Sequence, residues 1–232
     1  MSILGFLNFS FANVDGQIFV KNDDLSDYSN FVVWIHKGEK LAKVKAIPKK
    51  IVMHQKDKTF VPNFIIVRTK DTVDFKNKDD IFHNVFSLDP KNKFDLGVFK
   101  GGMKYTDDFK VDKNRKVAID SFTFIKPGVT AVFCNIHETM MGTIRIVKHG
   151  YYAQVLKNGN FSLPSLPEGK HIIRIEGPRT KGPVNKEFMF PIKGKKLRLG
   201  IDIVDDKKHM KHNRKNGSSY PSRNESLDDD YY

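Results

Sequence analysis

Short apolar and β-branched runs recur along almost the whole chain, separated by turn residues, and scarcely any stretch has the apolar spacing of an amphipathic helix. The pattern predicts an all-β protein. Strands are expected at Gln17–Val20, Phe31–His36, Lys50–His54, Asn63–Arg68, Thr72–Lys76, His83–Ser87, Lys116–Phe122, Gly128–Phe133, Thr143–Val147, Tyr151–Leu156, His171–Glu176 and Leu197–Ile203. That many short strands suit two sandwiches better than one. Asn158-Gly159, between Tyr151–Leu156 and Phe161–Leu163, reads as a hairpin turn because both residues tolerate positive φ.

The 19 Phe residues and the 39% apolar content supply ample material for a folded core. The formal charge of +13 raises nucleic acid, an anionic membrane face or an acidic protein as partners. The lysines are spread along nearly every segment and are not gathered with aromatics, so nucleic-acid binding is not expected; the charge is a general bias toward acidic surfaces. No segment approaches the roughly 18 continuous apolar residues of a membrane span. From Asp205 the chain becomes DDKKHMKHNRKNGSSYPSRNESLDDDYY, without apolar periodicity and with blocks of like charge, so residues 205–232 are expected to be a disordered charged tail. His209, Met210 and His212 there read as a weak metal-binding cluster or, more simply, as part of a solvated basic tail. At the other end, residues 1–13 resemble the remnant of an export signal, with Ser10 and Ala12 ahead of a cut after Ala12; the alternative is an ordinary first strand or a ragged terminus.

With one cysteine there is neither an intrachain disulfide nor a four-thiolate zinc site. That cysteine lies in VFCNIHETMMGTIRIV, residues 132–147. A strand ending at Cys134, a tight loop carrying His137 and Met140, and a return strand from Gly142 bring a thiolate, an imidazole and a thioether around one point. Soft sulfur with imidazole favours copper or zinc, and two His, one Cys and a distant thioether make the trigonal set of electron-transfer copper. His83 is the best supplier of the second imidazole. FKNKDDIFHNVFSL places it at a strand start after a polar turn, followed by Asn84, whose amide can hydrogen-bond across to the cysteine loop. A lone Cys in a β core is usually inert packing, and a lone Met a gap-filler. The four residues together reverse that reading. His36, His54, His149 and His171 lack such company and read as surface or structural residues.

Ile51–Val147 resembles the cupredoxin family, in particular plastocyanin, pseudoazurin and amicyanin. FVPNFIIVRTKDTVDFKNKDDIFHNV is similar to the family stretch in which a strand follows a Phe-x-Pro turn and a second strand leads through an Asn-x-Asp turn to the first copper histidine. The resemblance assigns that role to His83, the thiolate to Cys134, the second imidazole to His137 and the axial thioether to Met140. Only Glu138 and Thr139 separate His137 from Met140, as in the short amicyanin type of loop. Met141 is the rival axial ligand, and Met140 is preferred because Gly142 then completes the family's Met-x-Gly. What the resemblance implies is one type 1 copper ion, alternating between Cu(I) and Cu(II), in a Greek-key β-sandwich spanning residues 46–148. It also implies electron passage at the exposed edge of His137, through an apolar patch to which Phe82, Ile136 and Met141 contribute. Two departures stand out: Lys70-Asp71 occupies a turn where the family usually has Gly, and MKYTDDFKVDKNRK follows Gly101-Gly102 like an insertion.

Over residues 14–180 the chain is similar to bacterial periplasmic proteins of the plastocyanin-like or methylamine-utilisation-like type. YYAQVLKNGNFSLPSLPEGKHIIRIEG resembles the carboxypeptidase-regulatory-like, or transthyretin-like, β-sandwich. The chain after Lys148 offers about 55 residues before the tail, too few for a stable sandwich without a disulfide. VDGQIFV and FVVWI, in residues 14–45, resemble the missing half. Residues 14–45 and 149–204 are therefore expected to pair as a small transthyretin-like β-sandwich split by insertion of 46–148; tandem order is the rival.

The expected function is single-electron transfer in the periplasm or another exported location, with a redox protein partner that has an acidic face. Copper storage or delivery is the alternative from the same four ligands. No enzyme is expected. A multicopper oxidase or nitrite reductase needs further His pairs, the dinuclear site of terminal oxidases needs two cysteines, and the flanks of Cys134 and His137 disfavour a nucleophile and base.

Overall fold

The computed structural model describes residues 13–41, 47–101, 119–192, 194, 196–204 and 212–219. The strands run in chain order as β1 (Val14–Val20), β2 (Val32–Gly38), β3 (Lys50–Lys56), β4 (Thr59–Val61), β5 (Phe64–Arg68), β6 (Thr72–Asn77), β7 (Phe82–Ser87), β8 (Phe94–Lys100), β9 (Ile119–Thr123), β10 (Gly128–Phe133), β11 (Met141–Val147), β12 (Tyr152–Gln154), β13 (Asn160–Leu163), β14 (Gly169–Glu176), β15 (Val184–Phe190) and β16 (Leu197–Ile201). The expected signal remnant, the boundary near residue 46, the insertion-like segment and the Lys116–Ala118 end of one expected strand fall wholly or almost wholly outside the described residues.

Among the described residues these strands form four sheets, and the fold is all-β. Two of them, in the orders β5-β11-β10-β7-β8 and β4-β3-β6-β9, enclose one core. Fully buried Phe60, Phe75, Phe99 and Phe124 dominate it, together with Val132, Ile144, Cys134 and Met140. The alternation of β11, with Ile144 and Ile146 buried and Thr143 and Arg145 half-buried, follows from the period of two along a strand. Phe94 stacks on Phe122 at 4.2 Å, and Phe122 meets Phe124 edge-on at 5.0 Å. Each such pair contributes about 0.5–1.5 kcal/mol beyond its buried area.

The other two sheets, β13-β1-β16 and β12-β2-β14-β15, enclose a second core built on Ile18, Val33, Ile35, Phe161, Leu163, Ile173 and Ile175. β1 therefore pairs with β13 and β16, and β2 with β12 and β14, although β3 to β11 intervene in the sequence. Val32, Trp34, Phe64, Ile66 and Val147 form a third buried cluster where the two sandwiches meet. Arg145 of β11 reaches across this junction to Glu176 of β14 through Nε at 2.8 Å and Nη2 at 2.5 Å, and its guanidinium lies 4.9 Å from the Trp34 ring centre.

The expected hairpin at Asn158-Gly159 is not formed. The turn exists, with Gly159 N–H donating to Leu156 O at 2.8 Å and Gly159 at φ 83°. Its two arms nevertheless separate, β12 joining the β2 sheet and β13 the β1 sheet. Gly159 O accepts from Ile18 N–H at 2.9 Å, so the turn is a corner between facing sheets held against β1. β4, β8 and β15 carry no clear sequence signal. β4 is short, β8 contains Gly97 at φ 71° opposite an irregularity in β7, and on β15 no side chain is fully buried.

Lys70-Asp71, the departure from the family's glycine, has a structural account. Lys70 takes the positive φ, 78°, that glycine favours. Asp71 is fully buried and accepts from Arg68 N–H at 2.8 Å, Lys49 N–H at 2.9 Å and the Tyr152 hydroxyl at 2.9 Å. Burial and the Asp71 carboxylate push the Tyr152 phenol pKa upward, keeping it a donor. In the same turn Thr72 N–H donates to Lys49 O and Thr69 N–H to Val147 O, both at 2.9 Å, so one turn holds the chain just before β3 and at the end of β11.

Candidate metal centre

Cys134 follows β10 and Met141 opens β11, and these two strands pair from Gly128 opposite Ile146 to Phe133 opposite Met141. The intervening loop is closed by its own backbone: Cys134 N–H donates to Met140 O, and Met140 N–H to His137 O, both at 3.1 Å. His83 comes from the neighbouring strand β7, where Phe86 pairs with Phe133. Strand pairing thus carries a residue remote in sequence to the mouth of the loop.

His83, Cys134 and His137 converge, their ligand atoms lying within 4.8 Å of one another. His83 Nδ1 stands 3.1 Å from His137 Nδ1, and Cys134 Sγ stands 3.9 Å from the first and 3.5 Å from the second. A point equidistant from the corners of such a triangle lies about 2 Å from each, close to the bond lengths by which a transition metal holds imidazole and thiolate. The donors therefore fit one ion. Cys134 and His83 are fully buried and His137 is half-buried. Met140 is fully buried in the same core cluster as Cys134, whereas Met141 pairs with Phe133 on the next position of the strand. The expected exposure of the His137 edge is not seen, since Nε2 is buried; of the residues expected around it, Ile136 and Met141 are half-buried and Phe82 is nearly covered.

Burial pushes the Cys134 thiol pKa up, against the pull of backbone N–H groups of Asn84, Ile136 and His137. A bound cation supplies the counter-charge that makes such a thiol ionise. Two further residues orient the donors. Asp79 Oδ2 accepts from His83 Nε2 at 2.8 Å, which places the proton there and turns the Nδ1 lone pair toward the centre. Burial works to raise the Asp79 pKa, but N–H donors of Lys58 and Asp57 and the His83 imidazole outweigh it and hold the carboxyl below its ordinary range. Asn84 Oδ1 accepts from Asn135 N–H at 3.0 Å, the cross-strand bond its place beside His83 suggests. Asp79 is the Asp of the Asn-x-Asp turn before His83, but its role as partner of the imidazole escapes a sequence reading because an Asp in a polar turn is common. Asp79→Asn is expected to weaken metal binding by about 10–100-fold, as loss of a histidine's outer partner does; competition titration against a chelator of known affinity measures it.

The other described histidines are not part of the triangle. His36 is exposed, and His171 is buried with Nε2 2.8 Å from Pro167 O, a structural role. His209 and Met210 fall outside the described residues, and His212 packs on Phe133 at 4.7 Å.

The donor triangle defines a candidate transition-metal centre in an all-β protein. Among solved structures the chain is similar to the reduced state of an amicyanin mutant, at 19% identity over 50% of this chain and 98% of that one, with a TM-score of 0.33. It is also similar to a purple cupredoxin from Nitrosopumilus maritimus, at 16% identity over 43% of this chain and 99% of that one, with a TM-score of 0.32. A copper-containing nitrite reductase from Thermus scotoductus matches at 19% identity over 48% of this chain but 25% of its own, with a TM-score of 0.34. No protein-family model and no curated protein matches the chain. The functional reading rests on the donor geometry.

Proposed function

We propose that the protein is a type 1 copper protein that passes single electrons, in which His83, Cys134, His137 and Met140 would hold the ion. The triangle of two imidazole nitrogens and a thiol sulfur supports this reading above all. Copper at such a site supplies one-electron chemistry between Cu(I) and Cu(II). The chain's own part is to keep the donors still. Cys134 and Met140 are locked by backbone bonds within the loop, His83 by Asp79, and the loop flank by Asn84. Donors fixed this way move little when charge arrives, which favours rapid transfer over release of the ion.

In this reading the chain carries electrons and makes no bonds. Residues 46–148 form a Greek-key unit inserted into a transthyretin-like sandwich, a reading supported by the pairing of β1 and β2 with strands beyond β11. An exported location and an acidic-faced redox partner belong to this reading, and the charge of +13 supports the latter. No helix among the described residues is long and apolar enough to cross a membrane.

Titration with Cu(II) tests the function. One equivalent is expected to produce an intense visible thiolate-to-copper band that bleaches on one-electron reduction and returns on reoxidation. Absence of the band overturns the copper assignment; a band lost on mixing with a weak copper acceptor favours delivery.

A further inference from the structure

We infer that the C-terminal segment 212–219 is a brace for the metal-binding loop, with Lys215 as its positioning residue; this rests on the loop being a metal site. These residues belong to the stretch expected to be disordered, yet they fold on themselves and pack against the loop. Arg214 N–H donates to Ser218 O at 2.9 Å and Gly217 N–H to Arg214 O at 2.8 Å, closing a tight turn around Lys215.

From that turn Lys215 makes two contacts. Its backbone N–H donates to Asn135 Oδ1 at 2.8 Å, and its ammonium pairs with Asp95 Oδ2. The other oxygen of Asp95 accepts from Asn84 Nδ2 at 2.8 Å, and Asn84 Oδ1 accepts from Asn135 N–H at 3.0 Å. The four residues close a ring. Asn84 directly follows His83 and Asn135 directly follows Cys134, so the ring ties together the backbones that carry two of the three converging donors. A second tether lies beyond His137, where His212 N–H donates to Glu138 O at 3.2 Å. Asn135 and Glu138 bracket Ile136 and His137, and both ends of that span are held from the tail. The His212 ring covers Phe133 at 4.7 Å and approaches Phe86 at 6.5 Å. Phe86 is 1% exposed although it lies outside the inner core cluster, so the segment helps to cover the outer face of the sheet that bears the centre.

Hydrogen bonds from outside a loop restrain it against local opening, and a buried thiol reports that opening through its reactivity. The test compares the wild type with Lys215→Met, Lys215→Arg and a chain ending at Lys211. In metal-free protein, the rate at which a thiol reagent modifies Cys134 is expected to rise about tenfold on truncation and about threefold in Lys215→Met, and to stay insensitive to low urea as local opening does. Lys215→Arg should restore the wild-type rate. After addition of Cu(II), the thiolate-to-copper band should shift in Lys215→Met and return in Lys215→Arg. A wild-type labelling rate in the truncated chain, or acceleration that climbs steeply with urea, overturns the brace. Failure of arginine to rescue, or an unmoved band, overturns the role of Lys215. A wild type that forms no band overturns only the copper reading, because the labelling is measured without metal.

Discussion

Cys134→Ala should abolish the visible thiolate-to-copper band and weaken metal binding by more than the roughly 10–100-fold that loss of an outer partner costs. Sγ is the one thiolate donor the chain possesses and stands within 3.5 Å and 3.9 Å of the two imidazole nitrogens. Alanine leaves His83 and His137 facing each other, a pair able to hold copper weakly but without the sulfur orbital that gives the intense absorption. The fold should survive. Removing a single sulfur from a fully buried site leaves a small cavity, at a cost of order 1 kcal/mol. Thermal unfolding of the metal-free variant together with a copper titration separates these effects; an intense band persisting in the variant would refute Cys134 as ligand.

Glu176→Ala is expected to destabilise the protein by roughly 3 kcal/mol, because removing one member of a buried ion pair strands the other. Glu176 is 5% exposed, and Arg145 meets it through two nitrogens while lying over Trp34. Without the carboxylate, the guanidinium keeps its place against the indole but loses its partner in a site with little access to water. Replacing both residues by apolar ones of similar volume should cost much less than the single change, since no charge is then left behind. Urea unfolding of the single and double variants measures the difference. A loss below about 1 kcal/mol in Glu176→Ala would show that water reaches Arg145 and that the pair behaves as an exposed one.

The centre was readable in the sequence to the extent that its parts lie close along the chain. Cys134, His137 and Met140 share one short loop, and a loop between two paired strands has few ways to keep its side chains apart. His83 needed the further idea that a donor was missing. Among the supports, Asn84 was readable from its place after His83, but Lys215 was not: it lies 80 residues from Asn135 and 120 from Asp95, within a charged segment that carries no apolar pattern. The Asn158-Gly159 turn shows a different limit. Turn chemistry fixes the local φ values, but whether the flanking strands continue as partners depends on which sheet each of them buries. β8 was hidden by Gly97, whose positive φ interrupts the alternation on which a strand is recognised.

The turn at Arg68–Thr72 holds the chain at Lys49 and at Val147 side by side. A unit whose two ends meet can be spliced into almost any surface loop without stretching either the host or the guest. The seven residues of β11 run from the ligand loop to that meeting point, a separation of roughly 20 Å for an extended strand. A host exchanged beneath the unit must bring a new carboxylate for Arg145 and new cover for Phe64, Ile66 and Val147, while the converging donors at the far tip are left as they are.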